Sequence, residues 1–148
     1  MDQDNQPQPG EVLDEKEWTR QEHGKVLEYA SRNTLDLSRI NQNDSVILPP
    51  LIAVWSIESK SHSKGFWIIT GDLPSDHIVG ENAQNARDAI KHFSLRWQLK
   101  AENILIELEQ NHTEEDSNNT KRQFAEILIS KADGLYKCSE RDDLWKNE

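Results

Sequence analysis

Cysteine is nearly absent: Cys138 is the only one in 148 residues. A lone thiol excludes an internal disulfide framework and a cysteine-built structural zinc site, and it fits a reducing compartment. Long hydrophobic runs are missing too, since none approaches the ~18 residues a membrane-spanning helix needs. The first ten residues are rich in Asp, Gln and Pro and hold no apolar stretch. They do not read as a signal peptide, and a cytoplasmic setting is expected. Bases are in deficit, with 17 Lys and Arg against 27 Asp and Glu. They form no stripe, which argues against nucleic acid as a partner, and anionic lipid would be repelled. Three reactive patterns are also missing: the Gly-x-Ser-x-Gly elbow, the Gly-rich phosphate loop and the His-Glu-x-x-His zinc helix. No cofactor is expected.

What is present is charge and aromatic mass in separate places. The net charge of −10 divides as −5 over residues 1–50, +1 over 51–100 and −6 over 101–148. Five Trp, with Ile and Leu, cluster in distinct segments. A chain of this length buries roughly 70% of its unfolded surface, enough for a core without staples. We expect a disordered acidic, Pro-containing tail over residues 1–12, then a single α+β domain over 13–148.

Asp14 with Glu17 has capping-box spacing, and Leu13 with Trp18 has that of a hydrophobic staple; together they predict a helix over Glu15–Arg32. Gly24 inside it marks either a close approach or a weak point. Thr34–Ser45 is polar with scattered Leu35, Leu37 and Ile40, and reads as a loop with a short turn of helix. The clearest signal is central: Leu51–Glu58 and Gly65–Gly71 are apolar runs flanking the polar Ser59–Lys64, the pattern of a β-hairpin. A loop symmetric about Ser61 sets Trp55 opposite Trp67 and Ala53 opposite Ile69. Both faces are apolar, so both need cover. A third strand has two candidates, Asp44–Leu48 and Ile104–Leu108. Pro49 and Pro50 suit the start of an edge strand. Asn85, with Asp88 three residues on, predicts the cap of a long helix whose stripe is Ala86, Ala89, Ile90, Phe93, Trp97 and onward, with a break near Asn103. After a polar loop over His112–Asn119, Thr120 and Gln123 predict a last helix over Lys121–Asp133, ended by Gly134. The predicted fold is a small antiparallel sheet built on the central hairpin and packed by three to four helices. Its predicted core is Trp55, Ile57, Trp67, Ile69, Ile90, Phe93, Trp97, Phe124 and Leu128.

The segments Ala53-Val54-Trp55-Ser56-Ile57-Glu58-Ser59 and Gly65-Phe66-Trp67-Ile68-Ile69-Thr70-Gly71-Asp72-Leu73-Pro74-Ser75-Asp76 resemble a bacterial family, domain of unknown function 4826. The first helix around Trp18, the segment Asn85–Trp97 and the ending Asp142-Asp143-Leu144-Trp145 are similar to it as well. The resemblance covers most of residues 14–145 and implies the domain boundaries and a bacterial cytoplasmic setting. It brings no activity and no catalytic residues.

One polar constellation stands out. Asp72, Asp76 and His77 follow the second strand closely, and two carboxylates with an imidazole are the material of a divalent-cation site or an acid–base pair. Turn chemistry is the plainer reading of the same residues. Glu58 belongs to the opposite end of an antiparallel hairpin. Trp55, Trp67 and Trp97 read as core rather than a ligand cage, given the area each indole buries. The absent catalytic motifs and the acidic flanks together point to a non-catalytic protein that binds a partner with a basic surface. Its most concrete form is an immunity or antitoxin-type inhibitor of a toxin domain. The alternatives are a housekeeping interaction domain and a small metal-assisted enzyme using Asp72, Asp76 and His77.

Overall fold

The computed structural model describes residues 14–110 and 115–145, the side chains of 115–117 excepted. The tail expected over residues 1–12 and the staple residue Leu13 lie outside them. The chain forms two compact units, meeting in sequence between Val79 and Gly80.

The first unit opens with α1 (Glu15–Arg32). Asp14 caps it, its carboxylate accepting from Lys16 N–H at 3.1 Å. Glu17 does not complete a capping box; it pairs with Arg20 at 2.7 Å. Trp18, Glu22, Val26 and Ala30, four residues apart, are the buried stripe. The helix stops where Thr34 takes φ 56°, a left-handed conformation that a β-branched residue rarely adopts.

Four antiparallel strands follow in the order β1 (Arg39–Leu48), β2 (Ile52–Glu58), β3 (Phe66–Gly71) and β4 (Asp76–Val79), each beside its sequence neighbour. β1 corrects the loop and helical turn expected over Thr34–Ser45 and takes in the strand candidate Asp44–Leu48, whereas the other candidate, Ile104–Leu108, is helical. Its polar residues replace ladder bonds with side-chain bonds at a register shift. Asn41 Oδ1 accepts from the N–H groups of Asn43 (3.1 Å) and Asp44 (3.3 Å). Ser45 Oγ donates to Asn41 O at 2.7 Å and accepts from Ser56 N–H at 2.8 Å.

The hairpin register is a second correction. Trp55 pairs with Ile68, Ser56 with Trp67 and Ala53 with Thr70, one residue from the symmetric alignment. Trp55 and Trp67 therefore project to opposite faces. The cause is Gly65, which closes the loop with φ 65° and an N–H bond to His62 O at 2.9 Å. A Cβ there would collide with the Ile57 carbonyl. Ala53, Trp55, Ile57, Phe66 and Ile68 face α1 and form one core with Trp18, Val26 and Ala30. Ile52, Val54, Trp67, Ile69 and Ile78 are buried on the other face.

The second unit holds two 25-residue helices, α2 (Ala86–Gln110) and α3 (Glu115–Ser139). Asn85 Oδ1 accepts from Asp88 N–H at 2.8 Å, and the Asp88 carboxylate accepts from the N–H of Gln84, the residue before the cap, at 3.2 Å. α2 runs unbroken past Asn103. α3 starts before Thr120 and continues through Gly134; of the loop expected over His112–Asn119, residues 112–114 lie outside the described residues and the rest is helical. Ser94 Oγ donates to Ala132 O (2.8 Å), Arg87 Nε to Ser139 O (2.7 Å), and Lys100 Nζ stands 5.6 Å from the Phe124 ring centre. Partners fall in number on α3 as they rise on α2, so the helices are antiparallel. Ile90, Phe93, Trp97 and Leu128 are buried, but Phe124 is 37% exposed. The buried line of α3 is Ala125, Leu128, Ala132, Leu135 and Ser139, and Phe124 sits about 100° off Ala125. Asp142–Trp145 closes the unit as a short 3-10 turn, with Trp145 Nε1 donating to Cys138 O at 3.1 Å. Three helices and a four-stranded antiparallel sheet make this an α+β protein.

Two glycine substitutions should act in opposite directions. Nothing lies within 4 Å of a Cβ placed on Gly24. Gly24→Ala should therefore stabilise by about 1 kcal/mol, while Gly65→Ala should destabilise by more than about 1 kcal/mol. Urea unfolding of both variants reads the difference; a neutral Gly65→Ala would mean that the hairpin register does not depend on this turn.

Candidate functional site

The residues singled out for chemistry are separated by the strand pleat. Asp76 and His77 are successive residues of β4 and so project to opposite faces. Asp76 Oδ1 accepts from the backbone N–H of His77 at 2.8 Å. The His77 ring turns toward α1, where Nδ1 lies 2.7 Å from the Tyr29 hydroxyl. It stands edge-on to Tyr29 at 5.7 Å and to Phe66 at 6.0 Å. Asp72 is exposed just beyond β3, its N–H bonded to Leu51 O at 3.0 Å. Glu58, at the other end of the hairpin, receives Arg39 at 2.8 Å. Among the described residues no three His, Cys, Asp or Glu side chains are grouped to hold a metal ion. What the fold makes of His77 is a latch between β4 and α1.

The least ordinary polar group is one the sequence reading passed over. Glu22 is 2% exposed on the inner line of α1. Its Oε2 pairs with Lys25 Nζ at 2.8 Å, and its Oε1 has no hydrogen-bond partner among the described residues. The signal was in the spacing: Trp18 and Val26 are eight residues apart, and the position midway between them must face the same way. On the far flank of α1, a groove of 470 Å³ runs beside β1. Lys16, Arg20, His23 and Gln42 stand over an apolar floor that includes Ile47 and Trp55. The Arg20 guanidinium bonds the Glu17 carboxylate and holds it below the usual carboxylate range. The hydroxyls of Thr19 and Ser45 line the same groove; Thr19 Oγ1 donates to Glu15 O at 2.7 Å and Ser45 Oγ to Asn41 O at 2.7 Å.

Cys138 is the one thiol, and it is half-buried. Burial pushes its pKa up, against a smaller lowering by Arg141. The site withholds the thiolate that nucleophilic chemistry requires.

The second unit presents surface instead. Among the described residues, seven of the nine large apolar side chains left exposed lie on α2 and α3. Leu95 (60%), Leu99 (62%) and Ile106 are on α2; Phe124, Ile127, Ile129 (45%) and Tyr136 (48%) are on α3. Ile129 and Tyr136, two turns apart, share a flank with the exposed Glu126, Asp133 and Glu140. Over residues 126–140 that flank's one base is Lys137, paired with Asp133 at 2.9 Å.

A meander sheet with one covering helix, followed by a two-helix hairpin with an apolar exterior, defines a small α+β protein whose notable features are surfaces. The chain belongs to the family described as domain of unknown function (DUF4826), whose model matches residues 13–145 and so spans both units. No curated protein and no solved structure matches the chain. No helix among the described residues is long and apolar enough to cross a membrane.

Removing the cation that faces Glu22 leaves a buried carboxylate unpaired. Lys25→Met should lower stability by about 1–3 kcal/mol, and Glu22→Leu in the same chain should restore most of the loss. Equal unfolding midpoints for the wild type and Lys25→Met would show that the pair does not matter. The raised thiol pKa has its own consequence. At pH 8 Cys138 should react with Ellman's reagent more slowly than free cysteine, because less of it is thiolate, and the gap should narrow as pH rises. A rate equal to that of free cysteine at pH 8 would contradict the burial argument.

Proposed function

We propose that the protein acts in the cytoplasm by binding, without catalysis of its own, a protein partner that carries a basic surface, and that its concrete form is neutralisation of a toxin domain in the manner of an immunity protein. The observation that carries this reading is the α3 flank on which Ile129 and Tyr136 stand exposed among Glu126, Asp133 and Glu140. Exposed apolar area rimmed by charge is the composition of a docking surface, and carboxylates beside it favour a cationic counterpart. A net charge of −10 adds long-range attraction, which raises the encounter rate and is screened by salt. The His77 latch and the subdued Cys138 thiol fit a protein that binds rather than transforms.

The test uses the full chain as bait in extract of its own organism. A basic protein should be retained at low salt, released as salt rises, and lost from a variant carrying Ile129→Asp and Tyr136→Ala. Expressing that partner should arrest growth of cells lacking this gene and spare cells that carry it. Retention indifferent to salt or to the double substitution would sink the proposed surface; a partner harmless to the deletion strain would sink the neutralising role.

A further inference from the structure

The exposed apolar residues of α2 form a stripe of their own. Leu95, Leu99 and Ile106 fall within about 40° of one another around the helix, on the side opposite the buried Trp97. The stripe is about 16 Å long, and its two ends differ in charge. Residues 86–100 carry Arg87, Lys91, Arg96 and Lys100 against Asp88 alone, whereas residues 101–110 carry Glu102, Glu107 and Glu109 and no base. Lys91 and Glu109 are eighteen residues apart, five full turns, so both stand on one line along the same flank of the stripe.

From this juxtaposition we infer that the outer face of α2 is a self-association surface, on which a second copy of the chain docks with its α2 antiparallel. A two-fold axis beside residue 100 sets Leu95 of one copy against Ile106 of the other, with the two Leu99 side chains in contact at the centre. In an antiparallel pair related by such an axis each flank meets its own counterpart, so Lys91 faces the other copy's Glu109 at both ends. Parallel docking would instead lay the basic half of one helix beside the basic half of the other and the acidic half beside the acidic half, and would set the Lys91 flank against the opposite flank, so no Lys91–Glu109 pair would form. The basic half of each helix lies along the acidic half of the other, and this complementarity selects a copy of the same chain as the occupant. Three apolar residues per side make a small interface, and the dimer it forms is reversible. The surface is distinct from the α3 flank of Ile129 and Tyr136, so the dimer presents two such flanks.

Sedimentation velocity of the full chain over a concentration series tests the inference. The wild-type mass should rise from 17.1 kDa toward twice that value with concentration. Leu99→Glu should remain monomeric over the same range with an unchanged circular dichroism spectrum, since Leu99 is 62% exposed. Lys91→Glu and Glu109→Lys should each weaken association several-fold, and the two together should restore it. A wild type that stays monomeric up to about 1 mM, a dimer that survives Leu99→Glu, or a charge-reversed pair no tighter than its single variants would each overturn it.

Discussion

Gly65 turns left-handed against the Ile57 carbonyl, and the side-chain directions of the sheet follow from that turn. A strand has a period of two, so one residue of slip at a hairpin exchanges its faces. The observed register gives Trp55, Ile57, Phe66 and Ile68 to α1 and leaves Trp67 and Ile69 on the other face. It also aims His77 at Tyr29, because His77 pairs with Ile68 and shares its face. Asp76, one residue earlier, is thereby turned away from His77. The pleat separates these two groups in any register; the observed register decides that His77, and not Asp76, is the one on the α1 side.

Elements announced by caps and long apolar periods were legible in the sequence. Asp14 and Asn85 hold the N-termini of α1 and α2 through their own side chains, and α1 occupies the span its pattern predicted. Of β1 only the half Asp44–Leu48 was legible as a strand candidate; Arg39–Asn43 was not, because Asn41 reads as a loop former that bonds backbone, and here it does so inside a strand, with Ser45 bonding its carbonyl. α3 outran its expected ends because Thr120 and Gly134, good terminators in isolation, lie within a helix packed along its length on α2. Phe124 was misplaced by choosing the larger residue over its neighbour Ala125. Where two helices pack closely, the small side chain is the one at the seam, as Ala125, Ala132 and the partner Ser94 show.

The polar groups follow the same division between what local pattern reveals and what packing decides. Asp72, Asp76 and His77 drew notice because they are close in sequence, yet proximity along a strand alternates direction. Glu22 drew none because it sits among charged neighbours on α1, yet helical spacing places it on the inner line with Trp18 and Val26. Its charge is tolerated there because Lys25, one turn on, reaches back to it from a half-exposed position. A buried carboxylate answered by a single lysine is a weak contributor to stability and a strong constraint on arrangement. Both partners lie on α1, and Lys25 Nζ also reaches Gly71 O at the end of β3, at 3.5 Å.

Charge and apolar area then divide the outer surface by helix. On α1 the exposed groups largely answer one another within a turn, as Arg20 does Glu17 and Arg32 does Glu28. Such pairs add little energy and leave little field for a partner to read. α2 differs, because its charges are segregated end from end and cannot cancel within a turn; a helix polarised in this way is complementary to its own reversed copy. α3 differs again, with carboxylates and apolar residues on one flank. Short-range pairing thus dominates on α1, while exposed apolar area and charge segregated along the helix mark α2 and α3.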